Sequence, residues 1–401
     1  MIRIIKVEGA SNRVSYKQRR FIILVIIVSI SGFSQGMLLP LIAVIFEMDG
    51  VSSTLNGLNA TGLYIGTLLV SPFIEQPLRK YGYKPIIVMG GSLVFISLFL
   101  FPFWESVLFW FFLRLLIGIG DHALHFATQT WITTSTPQHK LGKAMSIYGM
   151  SFGLGFAVGP LFVPLVKISE SLPFIISSLL CLIAWSLIFF VKNERPEVLM
   201  GDAKQNGVSR YKFALRYGWV AFLPPFVYGF LESSLNALYP VYALRKDFDL
   251  QYVSLILAAF AVGAISMQFP LGMLGDRIGR KKVIVGGLFG GCTFFLIGSQ
   301  LEFSELLVAL MFLLAGMCVG SMFSLGITYM ADLTPKELLP TGNLLCGIFF
   351  SLGSLTGPFL GGVYLQLFPN GGFLVLVSCL LFIVALIVLN FGQTQKADVQ
   401  S

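Results

Sequence analysis

Long apolar stretches alternate with short polar segments along the whole chain. The first covers residues 21–46, and the others lie near residues 55–78, 85–103, 106–131, 144–166, 172–191, 217–243, 252–275, 283–300, 304–331, 343–366 and 371–391. About 20 apolar residues are enough to cross a bilayer as a helix. In lipid such a segment must be helical, because its backbone groups have no water to bond. The pattern predicts an all-α membrane protein with 12 transmembrane helices.

Composition excludes a soluble domain. The 401 residues are 56% hydrophobic and only 11% charged, whereas soluble domains carry about 25% charged residues. The net charge of +8 does not indicate a nucleic-acid partner, because the basic residues lie in loops rather than on one face. The first apolar stretch is too long for the core of a signal peptide and has no small-residue cleavage site.

The distribution of Lys and Arg predicts the orientation. The two termini and the five loops on the same side hold 23 of these residues, whereas the opposite loops hold three and one lies inside a helix. Loops rich in Lys and Arg stay in the cytoplasm. We therefore expect a multi-pass protein of the cell membrane with both termini cytoplasmic.

A polar interruption at residues 192–216 divides the chain into two halves. It contains proline and glycine and has no apolar periodicity, which predicts a cytoplasmic linker between residues 1–191 and 217–401. Features of the first half recur in the second at an offset of 197 or 198 residues. The recurring features are Gly82 and Gly279, Thr136-Pro137 and Thr334-Pro335, Gly149 and Gly347, and Gly159-Pro160 and Gly357-Pro358. A repeat of this length indicates two six-helix halves.

Residues 272–282 read GMLGDRIGRKK between two apolar stretches. This segment resembles the signature loop of the major facilitator superfamily, found between helices two and three and again between helices eight and nine. The resemblance implies two parallel six-helix halves and a gating role for this loop, whose acid caps a neighbouring helix N-terminus. The gating-loop residues are predicted to be Gly272, Asp276, Arg277, Gly279 and Arg280. An ordinary basic cytoplasmic loop is the alternative.

The first copy of this loop is degenerate. Arg79 stands where the second copy has Asp276, and Glu75 lies one turn earlier. Glu75 is either the displaced gating acid or simply the i+4 ion-pair partner of Arg79.

Helix four carries ionisable residues on one stripe, namely Arg114, Asp121 and His125. Charged groups at membrane depth generally face a partner or a watery cavity. The segment FLRLLIGIG resembles the helix-four motif of the superfamily, which implies a proton-coupling role for Arg114. Asp121 is a second candidate because it is one of two carboxylates placed well inside the spans. The alternative is a structural Arg114–Asp121 ion pair. His122 and His125 with Asp121 are too few ligands to predict a metal site, and no cofactor is expected.

Helix seven contains Glu232, which counting from Tyr217 places past the bilayer centre toward the outer side. A carboxylate at that depth fits proton coupling or recognition of a cationic substrate. The alternative is a carboxylate satisfied by Gln35 or by hydroxyls of helix one. In the superfamily, helices one, four, seven and ten line the substrate cavity. The predicted cavity residues are Gln35, His125, Asn236, Thr328 and Tyr329.

Glycine–proline pairs mark helices five and eleven. Gly155, Gly159 and Pro160 resemble the helix-five motif of the drug–proton antiporter branch, although its trailing glycine pair is absent. The complete version, with Gly353, Gly357 and Pro358, lies in helix eleven. Small residues four apart also allow helices to approach closely, so helix packing is the alternative role.

Function follows from these features as an expectation. The G-x-S-x-G match at 149–153 lies inside a span rather than on a strand-to-helix turn, and no Walker sequence occurs, so neither an enzyme nor an ATP-driven pump is expected. We expect a monomeric secondary active transporter in the lipid bilayer that exports amphipathic compounds in exchange for protons. The alternatives are proton-coupled uptake of a small metabolite and a non-transporting membrane sensor.

Overall fold

The computed structural model describes residues 2–195, 212, 215–216, 218–334, 338–368 and 371–392. The regular structure of these residues is helical throughout. Most of the predicted linker (196–211 and 213–214) and the C-terminal residues 393–401 lie outside the described residues. The linker boundaries therefore stay predictions.

Six spans form the described part of the first half. Each is labelled by its main helix: α1 (Ile2–Met48), α2 (Ser53–Val70), α3 (Tyr83–Leu100), α4 (Val107–Ser135), α5 (Gln138–Val158) and α6 (Ser171–Ser186). Helix Glu75–Tyr81 continues α2 after a 60° bend. The 3-10 segments Phe101–Phe103, Gly159–Lys167 and Leu187–Phe190 follow α3, α5 and α6.

Six further spans form the described part of the second half. They are α7 (Leu223–Leu244), α8 (Leu250–Ile278), α9 (Arg280–Gln300), α10 (Glu305–Val319), α11 (Leu339–Leu367) and α12 (Phe373–Phe391). A 3-10 turn, Trp219–Phe222, precedes α7, and helix Met322–Leu333 continues α10. The prediction of 12 spanning helices in two six-helix halves is confirmed.

Helix α7 differs from the other spans in its polarity. In the described residues, ten helices are long and apolar enough to cross a membrane, and the bent pair around α2 makes eleven. α7 is the twelfth, and it carries Glu232 and Asn236 in its middle. None of its residues is exposed on the surface of the protein. Because α7 faces protein rather than lipid, it tolerates polar side chains that a peripheral span would not.

Proline ends the α-helix in the fifth span. The apolar stretch 144–166 predicts one continuous helix, but α5 stops at Val158 and the chain continues as a 3-10 segment to Lys167. Pro160 has no N–H to donate to the carbonyl one turn back, so the α-helical ladder is interrupted there.

Glycines bring α5 against α1 and α11 against α7. A Cβ on Gly155 would lie 1.9 Å from the carbonyl oxygen of Ser29, and one on Gly353 would lie 2.0 Å from the carbonyl oxygen of Phe226. The same crowding occurs one turn later in each helix, at Gly159 and Gly357. Any side chain here would force the two backbones apart, so these glycines set the helix spacing within each half.

The two halves meet at the end of the bundle away from the start of α1, called here the outer end after the predicted orientation. Arg245 donates from Nε and from its terminal nitrogen to the two carboxylate oxygens of Glu47, at 2.6 and 2.9 Å. Lys167 pairs with Asp249 at 3.2 Å. These ion pairs join the first half to the second and hold the outer end closed.

Backbone packing supports the same closure. Asn56 of α2 donates from its side-chain amide to the carbonyl oxygen of Ala237 on α7 at 2.9 Å. A Cβ on Gly57 would lie only 2.0 Å from the carbonyl oxygen of Pro358 on α11. The interface between α2, α7 and α11 is therefore closely packed at the outer end.

Candidate functional site

A cavity of about 340 Å³ lies between the halves. It extends from the middle of α7 toward the opposite end of the bundle, the predicted cytoplasmic or inner end. Six aromatic rings line it: Phe152, Phe156, Tyr228, Phe260, Phe323 and Phe350. Glu232 is the only charged residue among the described residues that line the cavity, and Gln268 and Ser324 add uncharged polar groups. The cavity thus combines a large apolar surface with one carboxylate.

The carboxylate of Glu232 has no hydrogen-bond or ion-pair partner in the described part of the chain. Its backbone oxygen accepts from the side chain of Asn236 at 2.8 Å, a contact that fixes the helix without engaging the carboxylate. The side chains of Tyr64, on α2, and Tyr228, on α7, lie close enough to the Glu232 carboxylate to interact with it electrostatically. The alternative drawn from the sequence, a carboxylate satisfied by Gln35 or by hydroxyls of helix one, is wrong. Gln35 and Ser31 donate to Asp121 instead, and Ser34 bonds to Ser177.

Arg114 is the most deeply placed cation of the described residues. Its side chain has no exposed surface, and its three guanidinium nitrogens have no hydrogen-bond partner among the described residues. Tyr64 lies within electrostatic range of both Arg114 and Glu232. An unpaired guanidinium without water is costly, so Arg114 is poised to attract an anionic group.

The structural ion pair between Arg114 and Asp121 does not form, which corrects that alternative. The two residues are two turns apart on α4, and the Asp121 oxygens accept instead from the Ser31 hydroxyl and the Gln35 amide of α1. His125 lies beside this carboxylate, with Nε2 3.7 Å from Oδ1. Asp121 and His125 therefore belong to a polar network inside the first half.

The predicted cavity residues are dispersed. Gln35 and His125 belong to the Asp121 network, and Asn236 bonds to its own helix. Thr328 donates to the Ser324 carbonyl at 3.1 Å, and Tyr329 is 2% exposed. In the described structure none of these five lines the 340 Å³ cavity.

Sequence reasoning missed the aromatic lining because it comes largely from α5, α8 and α11, outside the four helices implied by the resemblance. Phe residues are common along the whole chain and carry no positional signal by themselves. Gln268 did carry one, since it is an uncharged polar residue in an otherwise apolar part of α8.

Two glycines shape the signature loops in the same way. Gly82 has a φ of 93° and Gly279 a φ of 96°, a left-handed conformation that favours glycine. Gly82 follows the end of helix Glu75–Tyr81 and precedes α3, and Gly279 follows the end of α8 and precedes α9. The internal repeat thus extends to backbone geometry.

The second signature loop pairs with a carboxylate from another span that the sequence did not predict. Arg280 pairs with Asp276 at 2.9 Å and also with Asp332, at the end of the helix that continues α10. Among the described residues the Asp276 carboxylate is paired with Arg280, and its capping of a helix N-terminus stays a prediction. Arg277 is exposed, and a Cβ on Gly272 would meet nothing within 4 Å.

In the first signature loop, Glu75 pairs with Arg79 at 2.5 Å, and both side chains are exposed. This confirms the i+4 ion pair as the arrangement in this conformation. Exposed pairs of this kind contribute little to stability.

We expect Asp276→Asn to slow transport by about tenfold, corresponding to ~1.4 kcal/mol, and Glu75→Gln to change it less than about twofold. Asp276 and Asp332 share Arg280, whereas Glu75 belongs to a solvent-exposed pair. Initial transport rates at matched surface expression measure both variants. A larger effect of Glu75→Gln would contradict this ranking and favour the displaced-acid role.

Twelve spans in two halves, closed at one end around a central cavity with a carboxylate, are the architecture of a membrane transporter. The chain belongs to the Major Facilitator Superfamily, whose sequence model matches residues 24–255 and 221–400.

Relatives and solved structures agree with this assignment. The MFS-type transporter YfkF of Bacillus subtilis (strain 168) is 55% identical over 359 residues, 89% of this chain and 92% of that protein. The multi-drug resistance efflux pump PmrA of Streptococcus pneumoniae serotype 4 is 25% identical over 373 residues, 88% of this chain and 92% of that protein. A crystal structure of the nucleoside transporter NupG superposes with a TM-score of 0.76 at 13% identity, covering 93% of this chain and 98% of that one.

Proposed function

We propose that the protein exports amphipathic, cationic compounds from the cell in exchange for protons. The observation that carries this proposal is the cavity, where six aromatic rings surround a carboxylate that has no partner among the described residues. Aromatic faces attract organic cations, and the carboxylate supplies the opposite charge. An amphipathic cation satisfies both parts of this surface, while an anion does not.

Proton coupling follows from the placement of Glu232. A carboxylate in a desolvated cavity binds either a proton or a cationic substrate, because only one positive charge is needed to neutralise it. Competition for one site is the simplest physical basis of antiport: loading the substrate displaces the proton, and loading the proton releases the substrate. Arg114 lies in the other half, near the same Tyr64. When the two halves rock and Arg114 approaches Glu232, its positive charge favours release of the proton from Glu232.

Export is supported by the cavity at the inner end and by the name of PmrA, a multi-drug resistance efflux pump. The second candidate is proton-coupled uptake of a small metabolite, which the polar Gln268 and Ser324 in the same cavity favour. A non-transporting sensor is a third, and no feature of the described residues favours it.

Transport by purified protein in proteoliposomes with an imposed pH gradient tests the proposal. We expect a fluorescent lipophilic cation to accumulate against its gradient in the acidic compartment, because protons leave that compartment as the cation enters it. No accumulation is expected when the pH gradient is collapsed. A neutral analogue of similar size serves as the control for the charge preference. Accumulation of small polar metabolites with protons, and no movement of lipophilic cations, would replace export by the uptake alternative.

The proposed orientation is tested by labelling single cysteines in a variant lacking the five native ones. We propose cytoplasmic termini, a cytoplasmic linker and a monomer in the cell membrane. A cysteine at Ser169, exposed in the α5–α6 connection, is expected to react with an impermeant thiol reagent in intact cells. Cysteines at Gln205 and Gln395 are expected to react only after permeabilisation. Labelling of Gln205→Cys from outside would overturn the orientation.

A further inference from the structure

A second buried acid lies in the first half, apart from the central cavity. Asp121 is 5% exposed, and its two oxygens accept from the Ser31 hydroxyl and the Gln35 amide. Arg114 lies two turns away on the same helix and does not bond to it. Neutral donors hold the Asp121 carboxylate in place without supplying a compensating full charge.

His125 is placed to exchange protons with this acid. Its Nε2 lies 3.0 Å from the Ser31 hydroxyl and 3.7 Å from Oδ1 of Asp121. Its Nδ1 lies 2.7 Å from the hydroxyl of Tyr148 on α5. A hydroxyl can donate or accept, so both ring nitrogens keep a partner whether the imidazole is neutral or protonated. The ring can therefore change its protonation without leaving a buried group unsatisfied.

The two side chains of this pair differ in exposure. The His125 side chain is 22% exposed and that of Asp121 only 8%. The imidazole packs edge-on against Phe152, with ring centroids 5.1 Å apart, and Phe152 lines the central cavity. His125 is thus the more exposed member of the pair, and it lies behind Phe152 at the wall of the cavity.

We propose that Asp121 and His125 form a shared proton-binding site, distinct from Glu232, with Tyr148 as the residue that positions the imidazole. The coupling of this site to transport rests on the proton exchange proposed above. A proton from water binds the neutral imidazole, and the Nε2 proton then passes to the Asp121 carboxylate directly or through the Ser31 hydroxyl. The ring becomes neutral again, and the carboxylate becomes a carboxylic acid.

The other described groups around the pair are few, and none of them is a carboxylate, a lysine or an arginine. α1 contributes Ser31 and Gln35, and α5 contributes Tyr148. Cys181 of α6 lies within electrostatic range of Asp121, and His122 on α4 within range of His125. α3 contributes apolar residues and glycine to the small space beside Asp121. Changes in protonation at this place therefore report mainly on Asp121 and His125.

Nuclear magnetic resonance of the imidazole nitrogens tests the shared site directly, without transport. The chain has three histidines, so full-length protein with isotope-labelled histidine nitrogen gives few signals, and His122→Asn and His139→Asn assign the third. We expect Asp121→Asn to displace the pH titration curve of His125 by at least about half a pH unit. Glu232→Gln, the matched acid in the other half, is expected to leave it unchanged.

Tyr148→Phe tests whether the Tyr148 hydroxyl positions the His125 imidazole, without disturbing the fold. The change removes one hydroxyl and keeps the ring, so the protein is expected to fold while the Nδ1 signal of His125 shifts. Identical His125 curves in the wild type and in Asp121→Asn would overturn the shared site. If Asp121→Asn does not fold, Ser31→Ala replaces it, since Ser31 bonds to both members.

Transport distinguishes failure of the site from failure of the proposed function. His125→Asn is expected to reduce gradient-driven transport at least about tenfold and to spare exchange without a gradient, whereas His122→Asn, which removes an imidazole bonded to Ser71, is expected to spare both. Coupled titration without gradient-driven transport in the wild type would uphold the site and refute proton-driven transport. Gradient-driven transport in the wild type, together with a His125 titration that does not respond to Asp121→Asn, would refute the shared site and uphold proton-driven transport.

Discussion

Glu232→Gln is expected to abolish accumulation of a lipophilic cation driven by a pH gradient, while exchange without a gradient is partly retained. Glutamine keeps the size and shape of the side chain, but its amide neither binds nor releases a proton at the pH values used for transport. The backbone contact from Asn236 to Glu232 does not involve the carboxylate, so the helix is expected to be unchanged. Uptake into proteoliposomes, with and without the imposed gradient, measures both modes.

Glu302→Gln is the matched control for this experiment. Glu302 is also a glutamate, but it lies at the outer end of the second half and bonds to Tyr242 and Lys246 of that half. It is expected to transport like the wild type. Wild-type accumulation and wild-type pH dependence in Glu232→Gln would refute the role of Glu232 in coupling. Loss of cationic substrates with retention of neutral ones would assign Glu232 to binding rather than to coupling.

Reversing one charge at the outer end is expected to open that end of the transporter. Glu47 and Arg245 form a two-bond ion pair between the halves, and Arg245 also donates to Ser53 at 2.8 Å. Hydrogen bonds between charged groups contribute about 1.5–3 kcal/mol. Glu47→Arg replaces this attraction by repulsion, so we expect the population open to the outside to rise about tenfold or more.

A cysteine at Ala60 reports this opening. Ala60 is fully buried on α2 and packs in the core cluster of the second half, so an impermeant thiol reagent reaches it only when the halves separate at the outer end. Labelling is expected to accelerate in Glu47→Arg and to return to the original rate in the double variant Glu47→Arg/Arg245→Glu. Fast labelling in the double variant would show that the pair does not hold the outer end closed.

Some of the site was predictable because its signals are local. Glu232 stands out as an acid in an apolar stretch. Because burying a carboxylate in the membrane costs free energy, such a residue generally has a functional role. The pairing of Glu75 with Arg79 follows from helical spacing alone. Asp332 was not predictable in this way, because it meets Arg280 through a contact between two spans that are separate in sequence.

The sequence by itself determined the number of spans, their division into halves and the superfamily. These depend on apolar length, charge sign and a repeated glycine-bearing loop, which act over a few tens of residues and need no tertiary contact. Only the tertiary structure decided which charges pair and which residues face the cavity. Asp121 bonds to α1 rather than to Arg114, and the aromatic lining comes largely from α5, α8 and α11. The reason is that the rotation and crossing of each helix depend on close glycine contacts such as Gly155 on Ser29. Such contacts join residues more than a hundred positions apart, and no pattern within one helix encodes them.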